Sequence, residues 1–167
     1  MKRHLAYLKY LARHKWYVFL ASRKVGVGLW QSIIHDWQKF LPWEWCGYVK
    51  TFYTIDGKKR AYNERDTTLQ YAWNHHQKHA KHHWQYWLLT WDGGVHEPLK
   101  IPEKYVREMV ADWYGAGRAI KGKWEAFEWY QKNIGRMILH EETKQNVAKL
   151  MIKMERKFSH EITLPKL

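Results

Sequence analysis

Apolar side chains recur every three or four positions along most of this chain and almost nowhere alternate, which is the signature of helices rather than strands. Leu5, Leu8, Leu11 or Ala12, and Val18 mark one stripe, predicting a first helix from about residue 3 to Lys24, ended by Gly26 and Gly28. A second helix is expected from Leu29 to Lys39. Pro42 closes it and fits the first turn of a third helix, Trp43 to about Phe52. Ile55 to Arg60, with Asp56-Gly57 and three basic residues, reads as a turn or exposed loop.

A long helix is then expected from Glu64 to about Thr90, followed by a loop at Asp92-Gly93-Gly94 and Pro98. Pro102 starts another helix that runs through Trp113 to Ala119, and one more spans Trp124 to Lys132. His140 to Lys157 is amphipathic, with Val147, Leu150, Met151 and Met154 as its apolar stripe. No sustained period-two run is bounded by paired turn signals. The expected fold is all-α: a single compact domain of about six to seven helices over residues 1–158, with a flexible tail at 159–167.

Composition supports one hydrophobic core, because 167 residues with 46% hydrophobic and 17% aromatic content can bury enough surface without staples. Cys46 is the single cysteine, so no internal disulfide forms and a reducing compartment is expected, with cytoplasm (bacterial or phage-infected host) the default. Lys2 and Arg3 open the chain as a secretion signal would, but Lys9, Arg13, His14 and Lys15 interrupt the apolar run. No stretch approaches the roughly 20 apolar residues of a membrane span, so no membrane partner is expected. The net charge of +13 is concentrated in the first third, where residues 1–60 hold 12 Lys or Arg against 3 Asp or Glu. Such a field attracts polyanions or phosphorylated small molecules.

The stretch YAWNHHQKHAKHHWQYW places five histidines in nine positions. Treated as helix, His76, His79 and His83 share one face, as do His75, His79 and His82. Imidazoles so crowded cannot all be protonated cheaply; they either face water or hold a cation. In QSIIHDWQKF, His35 and Asp36 follow the apolar pair Ile33 and Ile34, where polar metal-binding groups have no packing role, and Asp36 is placed to bridge two metals. His14 lies on the stripe of Tyr7, Leu11 and Val18. Asp112 follows Tyr105 and Met109 by seven and three, on the inward face of its helix, where a carboxylate needs a cation or an arginine.

The order His14, His35-Asp36, His76 to His83, Asp112 resembles the HD-domain superfamily of metal-dependent phosphohydrolases, which are helical and use an H…HD…H…H…D order. WQSIIHDWQKF, HHQKHAKHHWQYW, PEKYVREMVADWYGAGRA and WYQKN…MILHEET look more closely like a small bacterial and phage family catalogued as a domain of unknown function, over about His4 to Thr143. The resemblance implies that His35 and Asp36 are paired ligands, that His14 is the first and Asp112 the last, and that the middle ligands fall on His76 and on His82 or His83. Lys39 matches the lysine of an HDxxK pattern. One or two ions of Mn, Fe, Co, Ni or Zn suit such mixed nitrogen and oxygen donors.

The expected function is metal-dependent hydrolysis of a nucleotide or other small phosphorylated substrate. Asp36 would hold metal and orient water, while Lys39 steadies phosphate with help from Arg13, Lys15, Arg23 or Arg118. Trp37, Trp73, Trp84, Trp87 and Trp113 flank the proposed ligands and offer either packing or base stacking. Three other functions compete: a nucleic-acid binder using charge and aromatic rings, a nucleotide-sequestering protein without turnover, and a di-iron oxygen-activating site. Oligomeric state is not encoded in these patterns.

Overall fold

The computed structural model describes residues 1–163, with side chains as far as Phe158. Among them are seven α-helices, three short 3-10 segments and one two-stranded ribbon. The chain begins with α1 (Lys2–Val25) and α2 (Leu29–Ile34), then a 3-10 turn at Trp37–Phe40 and α3 (Pro42–Phe52), with Pro42 in its first turn as expected. Next come α4 (Thr67–His79), a 3-10 turn at Trp84–Trp87 and the antiparallel strands β1 (Leu88–Thr90) and β2 (His96–Pro98). The last helices are α5 (Glu103–Lys121), α6 (Phe127–Asn133), followed by a 3-10 turn at Ile134–Arg136, and α7 (Glu141–Thr163). The tail expected at 159–167 is helical backbone as far as Thr163 and otherwise lies outside the described residues. No helix among those described is long and apolar enough to cross a membrane.

The buried stripe of α1 serves two apolar clusters. Its first half, Tyr7 and Leu11, packs on Tyr48 and Val49 of α3 and on Leu69 and Ala72 of α4. Its second half, Ala21 and Val25, joins Val106, Met109, Val110 and Tyr114 of α5 and the Val147, Met151, Met154 and Phe158 stripe of α7. His14 sits on the same stripe, between Leu11 and Val18, and is itself buried. A polar layer is thereby clamped between two hydrophobic bodies, each stabilised by area removed from water.

Two close helix crossings set the register of that layer. A Cβ on Gly115 would lie 2.5 Å from Val18 Cγ2 and 2.6 Å from the Val18 backbone nitrogen, so α5 meets α1 backbone to backbone there. His14 is four residues before Val18 and Asp112 three before Gly115, so this crossing brings the two polar groups together one turn away. Likewise a Cβ on Gly47 would lie 2.6 Å from Ala72 Cβ, pressing α3 onto α4. Glu44 is three residues before Gly47, while His75 and His76 are three and four after Ala72.

The structure corrects two helix expectations. The helix foreseen from Leu29 to Lys39 stops at Ile34. His35 is extended (φ −45°, ψ 131°) and Asp36 is left-handed (φ 57°, ψ 24°), the one non-glycine with positive φ among the described residues. An aspartate tolerates that conformation better than most residues, and such strain is kept where the surroundings over-determine it. The helix foreseen from Glu64 to Thr90 begins only after Asp66, whose carboxylate accepts from the Thr68 and Leu69 amides, and ends at His79. A continuous helix would carry His83 about 10 Å along the axis from His76. Ending it at the extended Ala80 lets His82 and His83 fold back beside His76. Leu88 to Thr90, expected to be helical, pairs instead with His96 to Pro98.

Because Gly115 admits no side chain without displacing α1, Gly115→Ala is expected to lower stability by about 1–3 kcal/mol, the usual range for overpacking. Thermal unfolding of the two proteins measures this, and an unchanged Tm would show that the crossing has slack.

Candidate metal centre

Asp36, buried at the break after α2, is the hub of the polar layer. Its Oδ2 lies 3.1 Å from His14 Nε2, 3.5 Å from His35 Nε2 and 2.5 Å from Lys39 Nζ. Its Oδ1 lies 3.2 Å from His76 Nε2 and 3.3 Å from His82 Nε2. Asp112 Oδ1 closes one side at 3.3 Å from His14 Nε2 and 3.4 Å from His35 Nε2. Two quartets result, each with one donor atom per residue and all donors within 4.8 Å of one another: His14, His35, Asp36 and Asp112, and Asp36, His76, His82 and His83. Asp36 belongs to both. All seven residues proposed as ligands from the sequence therefore meet at one place, brought from α1, the α2 break, α4, the turn after α4, and α5.

Six atoms of this set, Nε2 of His35, His76, His82 and His83 with Oδ1 of Asp36 and Asp112, are buried without a hydrogen-bond partner among the described residues. Buried polar atoms are almost always satisfied, so six converging orphans mark a place shaped for something else to bind.

Two carboxylates outside the sequence-derived set explain why the imidazoles point this way. Glu44 Oε2 lies 2.9 Å from His76 Nδ1, and Glu108 Oε1 lies 2.9 Å from His35 Nδ1 and 3.4 Å from His82 Nδ1. An ionised carboxylate only accepts, so Nδ1 keeps a proton and Nε2 becomes the nitrogen that takes up a second proton or a cation. Glu108 also lies within 4.8 Å of donors on His35 and His82, but it faces their Nδ1 side and so orients them. Gln31 steadies Glu108 through a 2.5 Å bond from Nε2 to Oε2. Glu108 could have been found four residues before Asp112, one turn back on the same face. Glu44 carried no comparable signal, since its neighbours Trp43 and Trp45 obscure any period.

The electrostatics describe a site short of positive charge. Four carboxylates, Asp36, Glu44, Glu108 and Asp112, are buried against one lysine, Lys39. Burial alone would raise their pKa values, but His35, Lys39 and His76 hold Asp36 well below the carboxylate range. The imidazoles of His14 and His35, 3.3 and 3.4 Å from its Oδ1, do the same for Asp112, and His35 and His82 hold Glu108 at about 2. The imidazoles respond in kind. Burial opposes their charge, yet Asp36, Asp112 and Glu108 push His35 up to about 9. His83 goes the other way: burial and the neighbouring His82 and His76 keep it well below its ordinary value, hence neutral and able to donate a lone pair. Protons here hold the places that a divalent cation would take.

Two clefts open on the layer from different sides. One, of about 390 Å³, is lined by His14, Lys39, His83 and Asp112 with Asn133, Arg136 and the indoles Trp73, Trp84, Trp113 and Trp129. The other, of about 370 Å³, has His35, Asp36, His82 and Glu108 on its inner wall and Trp30, Trp37, His79, Lys81 and Lys104 further out. Trp87 stands apart from both, bonded through Nε1 to the Lys81 carbonyl.

The basic residues expected at the phosphate are placed differently. Lys15 donates to the Ile33 and His35 carbonyls and braces the break after α2; Arg23 donates to the Val27 carbonyl and Ser32 Oγ. Arg118 lies over the rings of Tyr17 and Trp124. Arg13 lines a separate cavity with Lys59 and Arg60. Lys39 alone of the expected group reaches the centre, and Arg136, which sequence reasoning passed over, lines the cleft above it. Lysine and arginine side chains near a helix break find carbonyls as readily as ligands, which sequence spacing does not reveal.

Residues 3–153 match the profile of a family of unknown function, DUF5662, and the chain belongs to that family. No curated protein and no solved structure matches it.

Three outcomes follow from the geometry. Without metal, the raised His35 contributes stability that is complete below its unfolded value near 6.5 and is lost as pH climbs through about 9, so the metal-free protein should unfold at lower temperature at pH 9 than at pH 6.5. Metal uptake should release protons, visible in calorimetry as a heat that scales with buffer ionisation enthalpy. Removing an orienting carboxylate, as in Glu108→Gln, should weaken metal affinity about 10–100-fold while leaving the helical circular dichroism intact; unchanged affinity would mean Glu108 merely fills space.

Proposed function

We propose that this member of a family without an assigned function is a metal-dependent phosphoester hydrolase with an HD-like ligand order, acting on a nucleotide or other small phosphorylated substrate. The observation that carries this reading is the convergence of six buried, unpartnered imidazole and carboxylate atoms around Asp36, which joins two quartets of possible ligands. With ions bound, His14, His35 and Asp112 would hold one and His76, His82 and His83 the other, and Asp36, which belongs to both quartets, would serve each. Their mixed donors suit Mn, Fe, Co, Ni or Zn. Such ions supply a water of lowered pKa, near about 7, and neutralise charge developing on a phosphoryl oxygen.

The chain's own residues account for the rest. Lys39, held against Asp36 with its pKa raised well above the ordinary value, keeps a fixed positive charge beside the centre. It shares the cleft with Arg136, so both can meet phosphoryl oxygens. A neighbouring cavity of about 420 Å³ also includes Lys39 and Trp73 and is walled by Tyr7, Tyr10, Tyr48, Phe52 and Tyr62, dimensions and chemistry that suit a planar base. A nucleotide spanning the two would put its phosphate at Lys39 and its ring among the tyrosines.

Elemental analysis of the purified protein beside Asp36→Ala is the direct test: the wild type should carry metal and the variant little. With Mn, Co or Ni added, the wild type should turn over nucleotides or a generic phosphoester, and the variant should be slower by more than about 100-fold. Equal metal content in both proteins would remove the centre; metal without turnover across the panel would favour a binding protein that sequesters its ligand.

A further inference from the structure

A cavity of about 610 Å³ adjoins the tyrosine-walled one and holds three cations, Arg13, Lys59 and Arg60, with no carboxylate in its lining. Tyr10, Phe52 and Tyr62 form a wall common to both cavities. Tyr10 also lines the cleft over His83 and Asp112, so a single ring borders all three spaces. Arg13 follows Tyr10 by three residues on α1, which puts it one turn away on the same side. It also directly precedes the candidate ligand His14, with consecutive Cα atoms about 3.8 Å apart.

Backbone pairing fixes the other two cations. Tyr53 and Lys59 face each other in an antiparallel bridge, the Thr54 amide donates to the Lys58 carbonyl at 2.9 Å, and the Arg60 amide donates to the Phe52 carbonyl at 2.8 Å. Gly57 makes the reversal at φ 86°, where a Cβ would lie 3.2 Å from the Lys2 carbonyl oxygen. Arg60 commits one guanidinium nitrogen to the Lys50 carbonyl and keeps its other donors. None of the three cations makes an ion pair among the described residues. Like charges gathered on one concave surface repel each other unless an anion lies among them.

We infer that the substrate is the phosphorylated end of a single-stranded oligonucleotide, with its terminal phosphate at Lys39, its first base in the tyrosine-walled cavity and its next phosphate among Arg13, Lys59 and Arg60. The reaction at the terminal phosphate rests on the hydrolase reading; the second-phosphate site stands on the cavity itself. A mononucleotide carries phosphate on one side of its sugar and leaves the three cations unanswered. An oligonucleotide alternates phosphate and base, the alternation that Lys39, the aromatic wall and the Arg13 group present. Rings accept any base on their faces, and Tyr62, though exposed, is aligned 15° from parallel with Phe52. Glu64, the carboxylate of the tyrosine-walled cavity, stands where a base would lie and can accept from an exocyclic amine. A duplex would have to unpair its end to enter. In the reaction water adds to the terminal phosphorus and the phosphorus–oxygen ester bond breaks. The products are inorganic phosphate and an oligonucleotide hydroxyl, which takes the proton that the water gives up.

Phosphate release with Mn(II) from oligoadenylates of one to four nucleotides, phosphorylated at the 5′ or the 3′ end, measures the preference. From one nucleotide to two, kcat/KM should rise by about tenfold or more, and the double variant Arg13→Ala/Lys59→Ala should bring that ratio down towards one. Both side chains are exposed, so the variant should keep the wild-type Tm. With chelator present, binding of a fluorescent tetraadenylate should weaken about tenfold in the variant, and the slope of log Kd against log salt should fall by about 0.7, one phosphate contact on a single strand. Equal kcat/KM for one and two nucleotides overturns the inference and leaves the hydrolase reading standing. Tetraadenylate binding that depends on Arg13 and Lys59, with no phosphate released, upholds the second-phosphate site and sinks the hydrolase reading. A duplex bound as tightly as the single strand, or binding untouched in the variant, shows only surface charge drawing in a polyanion and overturns the site.

Discussion

A carboxylate shut away from water is costly unless something compensates its charge, and Asp36 is such a carboxylate, with four imidazoles and one ammonium turned towards it. The rest of the polar layer is arranged around that need. The backbone adopts a left-handed conformation at Asp36 itself, α2 stops short, α4 stops short, and Lys15 ties down the carbonyls freed by the first of these breaks. A protein that wanted only a stable bundle would gain by replacing this layer with leucines. Retaining it makes sense where the charge deficit is the purpose.

The layer is held rigid by its position between two apolar clusters. Neither cluster contains a ligand candidate, yet each fixes some: the α1–α5 crossing at Val18 and Gly115 sets His14 against Asp112, and the α3–α4 crossing at Gly47 and Ala72 sets Glu44 against His75 and His76. Precision at the centre thus comes from backbone contacts one turn away, where a methyl group would already be too large. Glu44 and Glu108 add the finer adjustment by choosing which ring nitrogen keeps its proton.

The aromatic richness of the chain divides by role. Tyr7 and Tyr48 build the smaller cluster and at the same time wall the cavity beside Lys39; Trp73, Trp84 and Trp113 line the cleft over His83 and Asp112. Rings at these places lower the local polarity and present flat aromatic faces to the cavities. The positive charge that dominates the composition is mostly spent elsewhere, on carbonyls and ring faces, so the field at the cleft comes from few groups.

Much of this was legible in the residue order. Apolar spacing alone gave α1, α3, α5 and the stripe of α7, since those helices obey a single period from cap to cap. The identity of the polar residues on otherwise apolar faces, His14 and Asp112, pointed to a shared interior site. What the order could not show was where a helix ends for the sake of the site. His35 and Asp36 read as helical, and so did the run from His75 to His83, because local propensity favours helix there. The breaks at Asp36 and Ala80 are imposed by a buried charge that attracts residues from five segments, and that attraction exists only once α1, α4 and α5 have packed. Glu44 and Glu108 stayed hidden for the same reason: a carboxylate that serves an imidazole distant in sequence leaves no mark in its own neighbourhood.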